Sequence, residues 1–378
     1  MIETKKEIEH GVIVAVAPKT QSEEKTDEFL DELEFLAQTL DIKTEKSFVQ
    51  KLEHPDPRTF VGSGKLHEIK TFVEAKGIKN IIFDDDLSPS QLRNLEKVLK
   101  IRIYDRSLLI LEIFLRRART NQAKTQVELA RYQYLLPRLT RMWTHLERQR
   151  GGTATRGGAG EKEIETDRRI IRDQINLLRK KLDKIETQAA TRRKSRSGVV
   201  RVALVGYTNA GKSSLMRRLS KEKVYAKDEL FATVDSTVRK VVIDQVPFLL
   251  SDTVGFIRKL PHNLIESFKS TLEEVKEADI LLHVIDASNP AYEDHIKVVE
   301  ETLEEIGAGD IRTIKVFNKV DKLEAASEHQ AINDHSTPSI FVSAKTKHHL
   351  KELKALIGKE TAKVHYKIYP NYIKQEVY

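Results

Sequence analysis

The sequence predicts an α/β protein in which a small N-terminal α/β domain, a long helical hairpin and a phosphate-loop domain follow one another. Strand-like and helix-like segments alternate near both ends of the chain, as they do around parallel sheets. A glycine-rich loop at 206–213 lies between a strand-like and a helix-like run. Between the two alternating regions, amphipathic runs flank residues 151–160, of which five are glycine.

The first predicted domain covers residues 1–115. Strand-like and helix-like runs alternate here, from "GVIVAVAP" and "EEKTDEFLDELEFLAQTLDI" to "NIIFDDD", "SPSQLRNLEKVLK" and "IRIYDR". The segment "GSGK" (Gly62–Lys65) has two interpretations, a nucleoside-phosphate site or a glycine turn that opens a helix. We favour the turn, because Leu66 follows the lysine and the full glycine spacing of a phosphate loop is missing.

The second predicted segment, residues 116–198, is a helical hairpin. A continuous helix is predicted from Ser107 to about Arg150, and a second helix begins near Glu163. The glycines between them exclude regular structure, so the hairpin has an arginine-bearing loop at its tip. The second helix has one apolar face, formed by Ile171, Ile175, Leu178, Leu182 and Ile185.

The hairpin segment also holds the chain's excess of positive charge. It contains 22 Lys and Arg against 9 Asp and Glu, a net +13, whereas the whole chain is +8 and the remainder therefore −5. This excess predicts a polyanionic partner, most simply nucleic acid, with a solvated helix face as the alternative. Trp143 and His145 could stack on a base, although Trp143 equally suits a contact between helices. The candidate RNA contacts are Arg138, Arg141, Arg148, Arg150 and Arg156.

The third predicted domain covers residues 199–362, with a mostly parallel sheet flanked by helices, and residues 363–378 are a C-terminal tail. Strands are expected in "VVRVALVG", "KVVIDQ", "PFLLSDTVG", "DILLHVIDAS", "TIKVFNKVD" and "SIFVSAK". The uninterrupted apolar run in "ILLHVI" is typical of a strand that is buried on both faces.

Composition restricts the possible chemistry. The chain of 378 residues has no cysteine, which excludes a disulfide scaffold, cysteine-ligated zinc and a thiol nucleophile. Its 39% hydrophobic and 32% charged residues are typical of a soluble globular protein. The N-terminal apolar run is too short for a signal peptide or a membrane span, so we expect a cytoplasmic protein without membrane insertion. A monomer is the default expectation.

The stretch "VGYTNAGKSS" fits the phosphate-loop pattern G-x-x-x-x-G-K-[ST]. Gly206 and Gly211 let the backbone curl so that its N–H groups face phosphate oxygens at the positive end of a helix. Lys212 reaches the β- and γ-phosphates, and Ser213 offers a hydroxyl to Mg²⁺. In "SDTVGF", Asp252 ends a strand and is expected to bind Mg²⁺, while the N–H of Gly255 contacts the γ-phosphate.

The pattern "FNKVD" predicts guanine specificity. The Asp321 carboxylate can accept from N1–H and from the exocyclic amine of guanine, a donor pair that adenine lacks. Asn318 and Lys319 shape and cover the base pocket, and in "VSAK" the Ala344 N–H is expected to meet the guanine O6. The nucleotide site is therefore predicted to consist of Gly206, Tyr207, Thr208, Asn209, Ala210, Gly211, Lys212, Ser213, Ser214, Phe231, Ala232, Thr233, Val234, Asp235, Asp252, Thr253, Val254, Gly255, Asn318, Lys319, Val320, Asp321, Ser343, Ala344 and Lys345.

The loop "ELFATVDSTVRKVVI" is expected to close on the γ-phosphate and to supply a hydroxyl to Mg²⁺. Its candidates are Thr233, Ser236 and Thr237, among which spacing alone does not choose. After Gly255 the chain has Phe256, where many GTPases carry a glutamine that orients the attacking water. We therefore expect slow intrinsic hydrolysis that needs a group supplied from outside.

The order of "GYTNAGKSS", "FATVDSTVRK", "DTVGFIRKLP" and "FNKVD", preceded by "RQRGG" and "RGGAGEKEIETDRRII", resembles the HflX family of ribosome-associated GTPases over essentially the whole chain. The resemblance implies that Thr233 binds Mg²⁺, which gives the metal ligands Ser213, Thr233 and Asp252 and the catalytic residues Lys212, Thr233 and Gly255. The family's glycine loop commonly reads R-G-P-G-E, whereas Arg156–Glu161 has no proline and one extra residue.

The resemblance further implies GTP as substrate, Mg²⁺ as cofactor and the large ribosomal subunit as partner. The N-terminal domain and hairpin would insert near the peptidyl-transferase region, and ribosome-stimulated hydrolysis would release a factor that splits or rescues stalled ribosomes, notably under heat stress.

Asn209 resembles the asparagine that holds K⁺ in cation-dependent GTPases, or it is a simple loop hydrogen-bonder. The alternatives are a large-subunit assembly GTPase, an ATP-dependent rRNA-remodelling factor that uses Gly62–Lys65, and a non-catalytic RNA-binding protein, which the intact Lys212, Ser213 and Asp252 disfavour.

Overall fold

The computed structural model describes residues 9–139, 159–194, 198–220, 230–231, 237–261, 269–323 and 338–372. The chain folds into two compact units. The first is built mainly from Met1–Arg116 and Lys124–Leu182, and the second mainly from Asp183–Leu260 and Ile265–Tyr378. Most of the segment predicted as a hairpin therefore lies in the first unit.

The first unit begins as a parallel α/β structure and continues with helices. Four parallel strands form its sheet in the order β2-β1-β3-β4. The elements are β1 (Glu9–Ala17), α1 (Glu23–Thr39), β2 (Ile42–Lys51), α2 (Ser63–Lys76), β3 (Asn80–Phe83), α3 (Pro89–Leu99), β4 (Arg102–Tyr104), α4 (Arg106–Arg117), α5 (Asn121–Leu135), a 3₁₀ turn (Leu136–Arg138) and α6 (Ala159–Lys194). The residues of α6 from Asp183 onward are assigned to the second unit.

A side-chain cap fixes the start of α3. The Ser88 hydroxyl accepts from the Gln91 N–H at 3.2 Å, and the Gln91 side chain accepts from the Ser88 N–H at 2.9 Å, which makes a capping box before Pro89. Apolar residues of α2 and α3 then pack against the sheet, where Leu95 and Ile69 join Val14 in a buried cluster.

The segment "GSGK" is a helix start, as favoured above. Gly62 precedes α2, and its N–H donates to Oε1 of Gln50 at 2.9 Å. Lys65 lies in the first turn of α2 and pairs with Glu68 at 2.7 Å. The interpretation of this segment as a glycine turn that opens a helix is therefore confirmed.

The prediction of one long helix from Ser107 to about Arg150 is wrong, because the helix is interrupted between α4 and α5. The Thr120 hydroxyl accepts from the Ala123 N–H at 3.1 Å and so caps a new helix. Further on, α5 gives way to a 3₁₀ turn that contains Pro137. Residues 140–158, which include the rest of the predicted helix and the glycine loop, lie outside the described residues.

The apolar face predicted for α6 packs on α5 and on the turn that follows it. Four of its five predicted residues are buried with Leu129 and Leu139 in one cluster, namely Ile171, Ile175, Leu178 and Leu182. Ile185 is only half-buried. Other positions of α6 expose basic side chains, among them Arg169, Arg172, Arg179 and Lys180.

The second unit contains a six-stranded sheet in the order β10-β9-β8-β5-β7-β6. All neighbouring strands are parallel except β6 and β7, which form an antiparallel edge. The elements are β5 (Val200–Val205), α7 (Lys212–Ser220), β6 (Thr237–Ile243), β7 (Val246–Asp252), α8 (Lys269–Lys276), β8 (Ile280–Asp286), α9 (Tyr292–Glu305), β9 (Thr313–Asn318), a 3₁₀ turn (Val320–Lys322), β10 (Ser339–Phe341), α10 (Leu350–Ile368) and a 3₁₀ turn (Pro370–Tyr372).

This topology brings the ends of distant strands together. The register pairs Leu204 with Asp252 and Asp286 with Asn318 at the carboxyl edge of the sheet, where open α/β sheets bind their ligands. Helices α7 and α10 cover one face of the sheet with Leu215 and Leu353. Because α10 continues to Ile368, the predicted boundary at 362 falls inside a helix.

Candidate functional site

The phosphate loop connects β5 to α7 and has the backbone geometry that its glycines were expected to provide. Gly206 has φ 146° and Gly211 has φ 97°, which L side chains rarely adopt. A Cβ on Gly206 would overlap the Val284 carbonyl, and one on Gly211 would overlap the Asn318 amide. Asn209, at φ 60°, is a left-handed residue that lies between these two glycines.

Lys212 is buried under the loop, with 6% of its surface exposed. Its ammonium donates to the carbonyls of Gly206 at 3.0 Å and Tyr207 at 2.8 Å. Burial lowers the pKa of Lys212 to about 8, and nearby Asp252 opposes this shift. The ammonium is therefore held inside the loop by dipoles, where the full charge of phosphate would stabilise it further.

Two of the three predicted magnesium ligands are in contact. The Ser213 hydroxyl donates to Oδ2 of Asp252 at 2.6 Å, and Asp252 is fully buried at the end of β7. A hydroxyl and a carboxylate are oxygen donors of the kind that Mg²⁺ prefers, so these residues fit the ion. The third predicted ligand, Thr233, lies outside the described residues, together with Ala232, Val234 and Asp235.

The segment after Asp252 pairs with the phosphate loop through its backbone. The Phe256 N–H donates to the Gly206 carbonyl at 3.1 Å, and the Thr208 N–H donates to the Phe256 carbonyl at 2.7 Å. Gly255 lies so close that a Cβ there would be 2.8 Å from Cα of Thr208 and 3.0 Å from Nζ of Lys212. The γ-phosphate sensor predicted at Gly255 therefore borders the lysine.

Tyr207 and Thr208 link the loop to further elements. The Arg258 N–H donates to the Tyr207 hydroxyl at 2.9 Å, and the Tyr207 ring stacks on His295 of α9 with centroids 3.7 Å apart. The Thr208 hydroxyl accepts from the Phe231 N–H at 3.1 Å. The loop thus contacts both segments that were expected to respond to the γ-phosphate.

The predicted base-recognition residues meet around Asn318. Its amide Nδ2 donates to the Ala210 carbonyl at 2.9 Å, and its Oδ1 accepts from the Ala344 N–H at 3.0 Å. Asp321 accepts from the Ser343 hydroxyl at 2.5 Å through Oδ1. The Ala344 N–H, expected to meet the guanine O6, is therefore engaged by Asn318 in this structure, and its contact to O6 stays a prediction.

Two residues that the motifs did not indicate hold the base loops. Arg218 of α7 donates from Nε to the Ala344 carbonyl at 2.8 Å and from Nη2 to the Lys345 carbonyl at 3.3 Å. Asp286, at the end of β8, pairs with Lys319 at 2.7 Å. Neither belongs to a nucleotide motif, and the only sequence signal is the place of Asp286 after a buried strand.

Of the predicted RNA-binding arginines, the described residues include Arg138. Its guanidinium donates to the carbonyls of Tyr134 and Leu87 at 3.0 and 2.9 Å and contacts Asp105 at 3.3 Å. The side chain is 12% exposed. These contacts make Arg138 a structural residue of the first unit, and they do not support the predicted RNA contact. Arg141, Arg148, Arg150 and Arg156, like Trp143, lie outside the described residues.

No helix in the described part of the chain is both long enough and apolar enough to cross a membrane.

Comparison with known proteins assigns all three regions to related families. Family models described as GTP-binding GTPase N-terminal, GTP-binding GTPase Middle Region and 50S ribosome-binding GTPase match residues 27–115, 117–196 and 201–319. GTPase HflX of Flavobacterium psychrophilum is 49% identical over 383 residues, which covers 96% of this chain and 92% of the relative. GTPase HflX of Escherichia coli is 45% identical over 329 residues, covering 86% and 77%.

Among solved structures, a complex of SsGBP with GDP has the same fold. Its TM-score is 0.51 at 24% sequence identity, and the match covers 94% of this chain and 99% of that one. At this identity the likeness concerns the fold alone.

Proposed function

The chain belongs to the HflX family of GTPases, and from this premise we propose that it hydrolyses GTP on the large ribosomal subunit and thereby splits or rescues stalled ribosomes. The observation that carries the nucleotide part is the position of Asn318. One side chain joins the phosphate loop at Ala210 to the base loop at Ala344. Phosphate and guanine recognition therefore belong to one hydrogen-bonded site.

The residues of the site have separate tasks in this proposal. Lys212 neutralises the β- and γ-phosphates, and the Gly255 N–H distinguishes triphosphate from diphosphate. Ser213, Asp252 and Thr233 would hold Mg²⁺, which supplies further charge neutralisation to the phosphates. Asp321, held by Ser343, selects guanine by its paired donors.

Slow intrinsic hydrolysis follows from the position of Phe256. Its backbone is paired with the phosphate loop and its side chain is 3% exposed, so the residue after Gly255 offers no polar group to a water molecule. A stimulating group must then come from outside, and the large ribosomal subunit is the proposed source.

The ribosomal partner is supported by charge as well as by family. The described part of α6 exposes several basic side chains, and exposed Lys and Arg bind the phosphate backbone of RNA. The match to a family described as 50S ribosome-binding GTPase agrees with this partner.

Turnover with and without purified large subunits tests the proposal. We expect the subunits to accelerate GTP hydrolysis at least about 10-fold, because one positioning group contributes a few kcal/mol. Lys212→Ala should remove hydrolysis in both conditions. Fast hydrolysis that ignores the subunits would contradict the proposal.

Sedimentation separates splitting or rescue from the assembly alternative. With a non-hydrolysable GTP analogue, a splitting factor should convert whole ribosomes into subunits and migrate with the mature large subunit. An assembly GTPase should migrate with precursor particles instead. An ATP-dependent remodelling role through Gly62–Lys65 is less favoured, since Lys65 is paired with Glu68, and ATP hydrolysis that survives Lys212→Ala would revive it.

A potassium ion beside Asn209 is a second, separable part of the proposal. Asn209 lies between Gly206 and Gly211 in a left-handed conformation, and a cation held there would offset charge on the phosphates. Hydrolysis should then be faster in K⁺ than in Na⁺ buffer. Equal rates would leave Asn209 as a loop hydrogen-bonder.

A further inference from the structure

The end of β8 carries an acidic residue, Asp286, that the nucleotide motifs do not include. In the sheet register Asp286 lies opposite Asn318, the last residue of β9, and the Ala287 N–H donates to the Asn318 carbonyl at 2.9 Å. The next residue, Lys319, reaches back so that its ammonium is 2.7 Å from Oδ2 of Asp286. The carboxylate and the base-covering lysine are thus direct partners.

The carboxylate of Asp286 is fixed on its other side as well. Oδ1 accepts from the hydroxyl of Ser288 at 2.6 Å and from the Ser288 N–H at 3.1 Å. With one oxygen held by the turn and the other by Lys319, the side chain has little rotational freedom. The ion pair is also sheltered, because the two side chains are only 18% and 19% exposed.

Lys319 needs such support because of its backbone. It has φ 66°, a left-handed conformation that costs a non-glycine residue about 1 kcal/mol and persists only where neighbours enforce it. Two residues later the chain reaches Asp321, which Ser343 holds for guanine recognition. The position of Lys319 therefore sets both the cover of the base pocket and the approach of Asp321.

We propose that Asp286 is the positioning residue for guanine-nucleotide binding in this chain, because it holds Lys319 over the base pocket through their ion pair. The inference rests on the proposed function and extends it to a residue outside the nucleotide motifs. Asp286 acts through Lys319 and does not itself touch the nucleotide. Its removal should release GDP and GTP alike, since both share the base.

Asp286→Asn is the informative variant. The amide oxygen can still accept from Ser288, whereas its NH₂ group faces the Lys319 ammonium as a second donor, so the ion pair alone is lost. We expect a fluorescent GDP analogue to dissociate roughly 10-fold to 100-fold faster, as for the loss of one charged hydrogen bond. Stopped-flow chase measurements give this rate.

A double-mutant cycle with Lys319→Ala separates positioning from a structural role. If Asp286 acts through Lys319, the double variant should release GDP no faster than Lys319→Ala alone. Additive effects would mean that Asp286 only stabilises the turn at Ser288, and the inference would fail. Circular dichroism melting of the nucleotide-free variants reports any loss of folding.

A matched control is available in another ion pair of the second unit. Glu300 of α9 pairs with Lys315 of β9 at 3.2 Å, away from the base loops, and Glu300→Gln should leave GDP release within about 2-fold of the parent. A parent protein that does not bind GDP would overturn the proposed function. A parent that binds GDP and an Asp286→Asn variant that releases it at the parent rate would overturn this inference alone.

Discussion

At the scale of single residues, Lys212 links nucleotide binding to pH. Burial lowers its pKa from the ordinary 10.5 to about 8, so above pH 8 the folded free protein loses a proton that the unfolded chain keeps up to pH 10.5. The free protein therefore gains stability as pH rises through this window. Phosphates next to the ammonium reverse the shift, because they favour the charged form.

GDP binding at about pH 9 should therefore take up a proton, close to one per nucleotide bound. Calorimetric titrations in two buffers of different ionisation enthalpy measure the uptake. The same titration at about pH 7, where Lys212 is already charged, is the control and should show much smaller uptake. Equal heats in both buffers at the higher pH would contradict a buried lysine of lowered pKa.

Arg218 gives a second prediction at this scale. It holds the carbonyls of Ala344 and Lys345 from the phosphate-loop helix, so Arg218→Ala should loosen the base loop and speed GDP release roughly 5-fold to 20-fold. Arg217→Ala is the matched control, since its neighbouring side chain is exposed. If both variants released GDP equally fast, general charge rather than loop positioning would be the cause.

The sequence allowed the motif residues to be predicted because each motif has a local signature, such as the Gly206 and Gly211 that flank a tight loop. Arg218 and Asp286 have no such signature. Arg218 contacts a carbonyl 126 positions away, and Asp286 meets Lys319 only through the register of β8 with β9. For Arg138 the sequence showed only the positive charge, which predicted an RNA contact. Its hydrogen bonds to Tyr134 and Asp105 depend on the fold and could not be read from the sequence.

At the scale of elements, the pairing of the Phe256 segment with the phosphate loop yields a prediction about catalysis. Restoring a glutamine with Phe256→Gln should not accelerate GTP hydrolysis, because the side chain at this position is buried rather than directed at water. It should instead destabilise the protein by about 2–4 kcal/mol, from lost apolar burial and a buried amide. Urea denaturation and single-turnover hydrolysis measure the two effects.

Phe256→Leu is the control, since it keeps an apolar side chain and should cost only about 1 kcal/mol with unchanged turnover. A glutamine variant that hydrolyses GTP about 10-fold faster than the parent would contradict the prediction. It would mean that the segment changes conformation in the reacting state and directs residue 256 at the attacking water.

Element boundaries were the weaker part of the sequence prediction. Apolar periodicity continues from α4 into α5, so it cannot reveal the break at Thr120, where a side-chain cap competes with the helix. The strands of the second unit were predictable, because buried parallel strands such as β8 read as uninterrupted apolar runs. The same reasoning placed β1 and β3 in the first unit.

At the scale of the whole molecule, each of the two units has its own buried core, and each should unfold as its own cooperative transition. The first unit contains a buried ion cluster in which Arg106, 1% exposed, pairs with Asp84 at 2.8 Å and with Glu32. The proposed nucleotide site belongs to the second unit. The two units should therefore unfold at different temperatures, and a bound nucleotide should stabilise only the second.

Differential scanning calorimetry should resolve two unfolding transitions. GDP at about 100 times its Kd should raise the midpoint temperature of only the second unit's transition, because it stabilises that unit by about 2.7 kcal/mol. Arg106→Ala removes the buried cation that pairs with Asp84 and Glu32, which should destabilise the first unit by about 3–5 kcal/mol and lower or remove only the other transition. Lys51→Ala, which breaks the exposed pair with Glu23, should move neither by more than about 1 kcal/mol. A single transition that responds to both GDP and Arg106→Ala would mean that the two cores unfold as one.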